Sequence, residues 1–361
     1  MRKIKLFIDA HIFDGKPQGS VTFISGIYSE LIKDERFQVF VGSSNKRLAE
    51  EYLGSDNFVH VQYNEHSKIK RLLFTIPRIL KENDIDFAHF QYISPIFKSC
   101  KYIVTIHDLL FLEFPTNFPL SYRIKNTILF YLSGKRANII TTVSDYSKKS
   151  IHYYFKIPLD NIYITPNAVV QQDAIPVPID ELLNRKFLLY VSRIEPRKNQ
   201  ALLIKVWREL GLFKQNIDLV LVGVEDLIDK NFNDELYKLS IEEKDHFHWL
   251  NNISNNELSW LYKNCILFVF PSIAEGFGIP PLEAAVSGAK VLCSNTTAMR
   301  EFDFWGNFQF DPNNYDDFKN SLQFAIENDF NHEKAISSIM KKYNWKKIAA
   351  DFGDLIVDKM N

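Results

Sequence analysis

Two carboxylates stand close together in the stretch Phe270-Pro-Ser-Ile-Ala-Glu-Gly-Phe-Gly-Ile-Pro-Pro-Leu-Glu-Ala-Ala-Val-Ser-Gly. An apolar strand ends at Phe270, Gly276 and Gly278 permit a tight turn, and Pro280 and Pro281 suit the first turn of a helix, where a missing N–H costs nothing. The loop's N–H groups and the positive end of the helix dipole suit an anionic ligand, while Glu275 and Glu283 suit hydroxyl donors. A diphosphate linked to two sugars presents both kinds of group. The spacing also admits a plainer arrangement, with Glu283 complementing the dipole of its own helix and Glu275 solvated.

Other candidates are weaker when read alone. Arg193, Arg197 and Lys198, in Ser192-Arg-Ile-Glu-Pro-Arg-Lys-Asn199, read as an exposed basic turn. His107 follows the apolar run Tyr102 to Ile106, so it sits at the carboxyl end of a strand, as a ligand-binding residue or as a hydrogen-bonded structural one. The first strand-to-helix connection, Asp9 to Ser20, holds Gly15 and Gly19, which fit either a plain turn or a loop that approaches a phosphate. It contains no Gly-x-Gly-x-x-Gly, and the chain has no Gly-x-x-x-x-Gly-Lys-Ser/Thr, so the dinucleotide fingerprint and the phosphate loop of nucleoside triphosphatases are both missing.

The elements that must position these groups follow from the pattern of apolar runs. Strands are expected at Ile4 to Ile8, Gln38 to Val41, Phe58 to Val61, Phe87 to Phe90, Tyr102 to Ile106, Ile139 to Val143 and Ile162 to Thr165. Helices are expected between them at Thr22 to Lys33, Ile69 to Asn83, Leu120 to Arg136 and Asp145 to Phe155, the last capped by Ser144. Ala168 to Asn184 loses the periodicity and reads as a linker. The alternation then resumes, with strands at Phe187 to Val191, Ile217 to Val222, His246 to Trp249, Ile266 to Phe270 and Lys290 to Cys293. Helices at Ala201 to Leu210, Glu235 to Glu243, Asn256 to Lys263 and Leu282 to Ser287 separate them, and Trp345 to Val357 is amphipathic. The fold class is α/β, with two doubly wound domains and an expected cleft at the carboxyl ends of their strands.

Composition narrows the partners. The 361 residues are 46% hydrophobic and 24% charged, with 43 Lys and Arg against 44 Asp and Glu, which excludes a disordered chain and disfavours a nucleic-acid binder. Residues 1 to 167 carry 22 basic and 16 acidic groups, and the remainder 21 and 28, so one half is basic and the other acidic. Cys100, Cys265 and Cys293 lie far apart in apolar contexts and read as buried, reduced thiols of a cytoplasmic protein. The amino terminus meets a charge at Asp9 too soon for a signal peptide, and the longest apolar run is far short of the ~20 residues that cross a bilayer. No Cys-x-x-Cys or His-x-x-x-His spacing of a zinc site occurs, and no metal or other cofactor is expected.

The run Glu275-Gly-Phe-Gly-Ile-Pro-Pro-Leu-Glu283-Ala resembles the signature of the retaining glycosyltransferases of family 4, which have the GT-B fold. Further matches occur in order: Ile106-His-Asp-Leu109, Thr142-Val-Ser144, Pro166-Asn167, Ser192 to Asn199, Val222-Gly223 and Pro271-Ser272. The resemblance implies that Arg193 and Lys198 hold the donor diphosphate and that Glu283 holds the ribose hydroxyls. It implies that Glu275, with the N–H groups of Phe277, Gly278 and Ile279 beside Gly276, contacts the transferred sugar, and that His107 faces the donor sugar or acceptor. Gly19 matches the amino-terminal phosphate loop loosely, since Gln-Gly-Ser-Val-Thr stands where a glycine pair is common. The implied layout is an acceptor-side domain over 1–170, a linker over 171–184, a nucleotide-sugar domain over 185–343, and a helix over 344–361 returning to the first.

The expected activity is transfer of a hexose from a nucleoside diphosphate sugar, GDP-mannose first, to a hydroxyl of a glycan or lipid-linked acceptor. The resemblance lies nearest to bacterial mannosyl- and rhamnosyltransferases of surface polysaccharide synthesis. A nucleotide-sugar epimerase of the same fold and a non-catalytic binding subunit remain as alternatives. The basic first half, with Lys68, Lys70 and Arg71 beside Leu72, Leu73 and Phe74, is expected to touch anionic membrane peripherally.

Overall fold

The computed structural model describes residues 2–14, 19–63, 67–169, 174–225 and 227–360. The chain forms two compact units, Met1–Ala168 with Tyr343–Asn361, and Val169–Lys342. In the first unit seven parallel strands lie in the order β3-β2-β1-β4-β5-β6-β7, from β1 (Ile4–Asp9), β2 (Phe37–Ser43), β3 (Val59–Gln62), β4 (Phe87–Gln91), β5 (Lys101–Thr105), β6 (Ile139–Thr142) and β7 (Ile162–Ile164). β1 pairs with β2 on one side, Ile4 opposite Phe37, and with β4 on the other, Leu6 opposite Phe87. The inner strands are buried on both faces, which is why they read as unbroken apolar runs.

The second unit repeats the plan with six parallel strands in the order β10-β9-β8-β11-β12-β13. These are β8 (Lys186–Val191), β9 (Ile217–Val222), β10 (Phe247–Leu250), β11 (Leu267–Phe270), β12 (Val291–Ser294) and the two-residue β13 (Gln309–Phe310). Both sheets are the doubly wound α/β class that the alternation predicts.

Local chemistry explains where the helices differ from the periodicity. The expected Ile69 to Asn83 helix is three pieces, Lys68–Lys70, a π-helical turn at Arg71–Thr75, and Ile76–Glu82. Pro77 has no N–H to give the carbonyl four residues back, so the ladder widens just before it. The expected Glu235 to Glu243 helix is Lys230–Tyr237 followed by Ile241–Lys244, because Ser240 and Glu243 form a reciprocal capping box that starts a new helix. The stretch expected to begin at Leu282 begins at Ile279. Helices Lys46–Leu53, Tyr315–Glu327 and His332–Lys342 have no counterpart in the sequence reading. Of the cysteines, Cys293 is buried, while Cys100 and Cys265 are half-buried. In the expected linker, residues 170–173 lie outside the described residues, and Leu182 is buried within the second unit.

The terminal helix Trp345–Asp358 packs on Gly19–Leu31 in the first unit. Gly26 makes the close approach possible: a Cβ there would lie 2.1 Å from the Trp345 indole. Phe352 of the same helix sits 5.4 Å, centroid to centroid, from the His89 ring. Trp345→Ala should therefore destabilise the first unit by ~3–5 kcal/mol, the usual cost of removing a buried aromatic. Denaturant unfolding followed by tryptophan-independent circular dichroism checks this, and a loss under ~1 kcal/mol would show that the indole is not an anchor.

Candidate functional site

In the second unit two strand-to-helix loops are stitched together at the carboxyl ends of neighbouring strands. After β8 the chain runs through Ser192–Glu195 into a 3-10 turn, Pro196–Lys198, before the helix Gln200–Glu209. The Tyr190 hydroxyl donates to the Lys198 carbonyl at 2.9 Å, and Gln200 Nε2 donates to the Arg193 carbonyl at 2.8 Å, so strand and helix both fix this loop. Gly223, with φ of 142°, follows β9, and a Cβ on it would come within 2.1 Å of the Ser192 carbonyl oxygen. Only glycine lets the two loops approach this closely.

The loop after β11 joins the first through Arg197. The Ile273 N–H donates to the Arg197 carbonyl at 2.8 Å, and Arg197 Nη1 returns a bond of 2.8 Å to the Ala274 carbonyl. Glu275 sits between the loops with both oxygens engaged. Its Oε1 accepts from Lys198 Nζ at 2.5 Å and from Ser272 Oγ at 2.6 Å, and its Oε2 accepts from Arg197 Nη1 at 3.2 Å. Arg197 Nε pairs with Glu195 Oε2 at 2.9 Å, and Arg193 Nη2 with Glu195 Oε1 at 3.2 Å. Burial alone would raise Glu275, but Lys198, Arg197 and the Ser272 hydroxyl outweigh it and hold the carboxyl down at about 2. Burial lowers the Lys198 ammonium, and the adjacent Glu275 pulls it back.

Arg197 is thus not the exposed basic turn that its sequence context suggests. Its side chain is 11% exposed and bridges two glutamates, whereas Arg193 is 54% exposed at the rim of the same network. Glu275 likewise is a buried counter-ion and not a solvated side chain. The alternation of signs in Arg193-Ile-Glu195-Pro-Arg197-Lys198, with Glu275 opposite, is the signal from which this pairing could have been found.

The loop ends at Gly278, which caps the helix Ile279–Val286 with φ of 96° and packs so tightly that a Cβ would meet Met299 Cγ at 2.9 Å. Phe277 is buried edge-on against Phe302, and Gly276 is buried beside it. Pro280 and Pro281 carry no N–H, so the donors at this helix start come from the backbone up to Ile279. Glu283 lies one turn in, half-buried, and burial pushes it up to about 7. Glu275 and Glu283 therefore differ in charge near neutrality although they belong to one loop and helix.

His107 and Gly19 belong to the first unit. His107 is buried, packed edge-on against Phe23 at 4.9 Å and tilted against Tyr92 at 5.2 Å, and burial lowers it to about 4. Its Nε2 lies 2.5 Å from Gln91 Oε1, and an amide oxygen only accepts, so Nε2 carries the proton and Nδ1 is left as an acceptor. Gln91 leads on to His89, which bridges Thr105 and Tyr28. Gly19 is the exposed first residue of its helix, and Gly15 lies outside the described residues. Among the described residues no three His, Cys, Asp or Glu side chains group as metal ligands, and no helix is long and apolar enough to cross a membrane.

Comparison with known proteins gives this arrangement its class. Residues 171–343 match the family model described as Glycosyl transferases group 1, and residues 18–172 match that described as Glycosyltransferase Family 4. The O-antigen chain mannosyltransferase B of Escherichia coli is 28% identical over 284 residues, covering 72% of each chain. The O-antigen chain mannosyltransferase RfbU of Salmonella typhimurium is 30% identical over 228 residues, 62% of this chain and 60% of its own length. The crystal structure of Anabaena Alr3699/HepE in complex with UDP-glucose shares the fold, with a TM-score of 0.72 at 16% identity, over 99% of this chain and 100% of that one. The chain is a glycosyltransferase with the GT-B fold. Within that class it belongs to glycosyltransferase family 4.

The Glu283 carboxyl supplies a stability test. A carboxyl raised in the folded state holds a proton that the unfolded chain has released, so stability falls as pH climbs from the ordinary carboxylate range toward about 7 and levels off above it. Glu283→Gln should remove that slope, raising Tm relative to the parent more at pH 8 than at pH 5. An equal difference at both pH values would show that Glu283 titrates normally.

Proposed function

We propose that the protein is a retaining, metal-independent hexosyltransferase that takes mannose from GDP-mannose and delivers it to a hydroxyl of a glycan or lipid-linked acceptor. The observation that carries the reading is the buried network around Glu275, which holds Lys198 fixed and cationic beside the helix start at Ile279, with Arg193 on its rim. Two fixed cations and a helix dipole stabilise the charge that grows on a departing nucleoside diphosphate, without reorganisation as the bond breaks. Glu283, when ionised, accepts from ribose hydroxyls, and Glu275 with the Phe277, Gly278 and Ile279 N–H groups orients the transferred sugar. His107 offers a neutral imidazole acceptor to a sugar hydroxyl, and Gly19 lets the start of its helix approach phosphate. No separate nucleophile is assigned, so the acceptor attacks from the face of the leaving group, whose phosphate takes the acceptor proton.

The mannose assignment draws on the relatives, two of which are named as O-antigen chain mannosyltransferases, while Alr3699/HepE holds UDP-glucose. Acceptor-dependent release of GDP from GDP-mannose, set against UDP-glucose and other donors, tests it. Release without acceptor, with an altered sugar, would favour the epimerase alternative, and binding without turnover the non-catalytic one. Arg193→Ala and Lys198→Ala should each lower kcat by ~10²-fold, the scale of a lost electrostatic donor, with circular dichroism unchanged; near-normal rates would remove the clamp role. Donor KM should fall as pH rises through 7 in the parent and stay flat in Glu283→Gln.

A peripheral membrane contact is part of the same proposal, with its surface redrawn. Arg71 is buried and Leu72 packs into the core, leaving Lys68, Ile69, Lys70 and Phe74 exposed from the stretch singled out in the sequence. The stronger surface is the helix Leu120–Arg136, which exposes Leu120, Ile124, Ile128 and Tyr131, carries exposed Lys125, Lys135 and Arg136, and contains no acidic residue. An apolar stripe with basic flanks suits an anionic bilayer surface. Cosedimentation with acidic liposomes at low salt should drop several-fold in the Ile124→Ser, Ile128→Ser double variant, and absence of parent binding would remove the contact.

A further inference from the structure

A second polar cluster lies in the first unit, at the carboxyl end of β1, and none of the donor-site roles above uses it. Asp9 ends β1 and is buried. Its Oδ1 accepts from the Tyr63 hydroxyl and lies 3.1 Å from His11 Nδ1, and its Oδ2 lies 3.8 Å from Arg71 Nε. Burial would raise Asp9, but His11, Arg71 and Tyr63 keep it well below the usual carboxylate range. An ionised carboxylate only accepts, so His11 Nδ1 carries a proton and donates to it, and Nε2 is the ring nitrogen left for a ligand, on a side chain one-third exposed.

Arg71 is the unusual member. Its side chain is only 9% exposed and lies over the Tyr63 ring at 6.0 Å, yet its guanidinium makes no hydrogen bond to any described residue, and Nε is wholly buried without a partner. A buried guanidinium whose Nε has no partner among the described residues is costly unless a ligand or water completes it. The π-helical turn that begins at Arg71 is what carries the side chain here, and such turns are frequent at functional sites. Arg71 and Lys125 both lie close enough to Lys68 that their charges disfavour its own, and Asp9 is the carboxylate among the described residues that offsets them there. Among the described residues Lys68, Arg71 and Lys125 outnumber Asp9 and Asp14, the carboxylates that act on this cluster, so its positive charge suits a phosphate group. The planar guanidinium supplies the paired donors that phosphate oxygens accept.

We propose that Arg71, with Lys68 beside it and Lys125 beside Lys68, binds a phosphate group carried by the acceptor, and that His11 Nε2 hydrogen-bonds a polar group next to it. This rests on the reading of a phosphate-bearing, lipid-linked acceptor, and it assigns that acceptor's charged portion to a place in the first unit. It also explains why an arginine is kept at a position that the apolar core would fill more cheaply with methionine.

The test uses the full chain with saturating GDP, which occupies the proposed diphosphate site of the second unit. Isothermal titration with inorganic pyrophosphate should show one site, weakened at least ~10-fold in Arg71→Met, partly restored in Arg71→Lys, and unchanged in Lys198→Met. Lys68→Ala and Lys125→Ala, at exposed positions that leave folding intact, should each weaken binding and flatten its salt dependence. A short-chain prenyl diphosphate in detergent should compete with pyrophosphate if the phosphate comes from a lipid carrier, and fail to compete if the site takes a free or glycan phosphate. Pyrophosphate binding that is absent from the parent, or unchanged in folded Arg71→Met, overturns the proposal, as does binding of acidic vesicles alone. Binding is read without turnover, so loss of the mannosyltransferase reading would leave an Arg71-dependent phosphate site standing, and the reverse also holds.

Discussion

The second unit depends on one buried charge being satisfied from two sides. Glu275 lies between the loops after β8 and β11 and is taken out of water, which is tolerable only because Lys198, Arg197 and Ser272 all point at it. Each partner is itself held by backbone: Tyr190 grips the Lys198 carbonyl, and Arg197 exchanges bonds with Ile273 and Ala274 across the gap. The network therefore welds two loops that are far apart in sequence into one rigid surface. A lysine that a phosphate must find in a fixed place is fixed by the carboxylate behind it, so Glu275 acts on the donor site partly through Lys198. Removing the carboxylate would leave the Lys198 ammonium buried without its ion-pair partner and Arg197 held by Glu195 alone, a worse state than removing the whole network.

Environment separates the two glutamates of that segment. Glu275 and Glu283 are eight positions apart and equally acidic as free side chains, but one is surrounded by cations and the other by apolar packing and the Tyr262 phenol. The first is a permanent anion, and the second changes charge close to neutral pH. Such divergence assigns different tasks to chemically identical groups. Glu275 is suited to holding cations in place, and Glu283 to a contact whose strength varies with ligand and pH.

Much of the architecture was legible because parallel strands buried on both faces leave unbroken apolar runs, and all twelve runs chosen on that basis correspond to strands. Helices with strong local signals were equally readable: Leu120–Arg136 and Asp145–Phe155 carry the bounds expected, the latter capped by Ser144. What escaped was set by contacts distant in sequence or by single backbone groups. Arg197 reads as a surface residue until Glu275, 78 positions away, is brought against it. The π-helical turn follows from the missing N–H of Pro77, and the break before Ile241 from a four-residue capping box inside a helix-like pattern. His332–Lys342 shows why propensity alone fails, since its apolar face makes sense only against the helix Ile279–Val286 and the turn at Asp303–Trp305.

The charge division between the halves takes on a definite meaning once the terminal helix is counted with the first unit. That helix region brings equal numbers of basic and acidic groups, so the first unit keeps its basic excess and the second its acidic one. A net negative unit is an unfavourable host for a diphosphate only over distances that salt does not screen, and at physiological ionic strength that distance is about 8 Å. Inside it, Lys198, Arg193 and the start of Ile279–Val286 decide the potential; beyond it, the surface acids of the second unit are largely invisible to a bound donor. The first unit has the opposite arrangement, because basic groups gather where Arg71 and Lys125 both repel Lys68 and a helix without acidic residues lies exposed. An unrelieved cluster of like charges is a cost to folding, and it is a cost that an anionic partner would relieve.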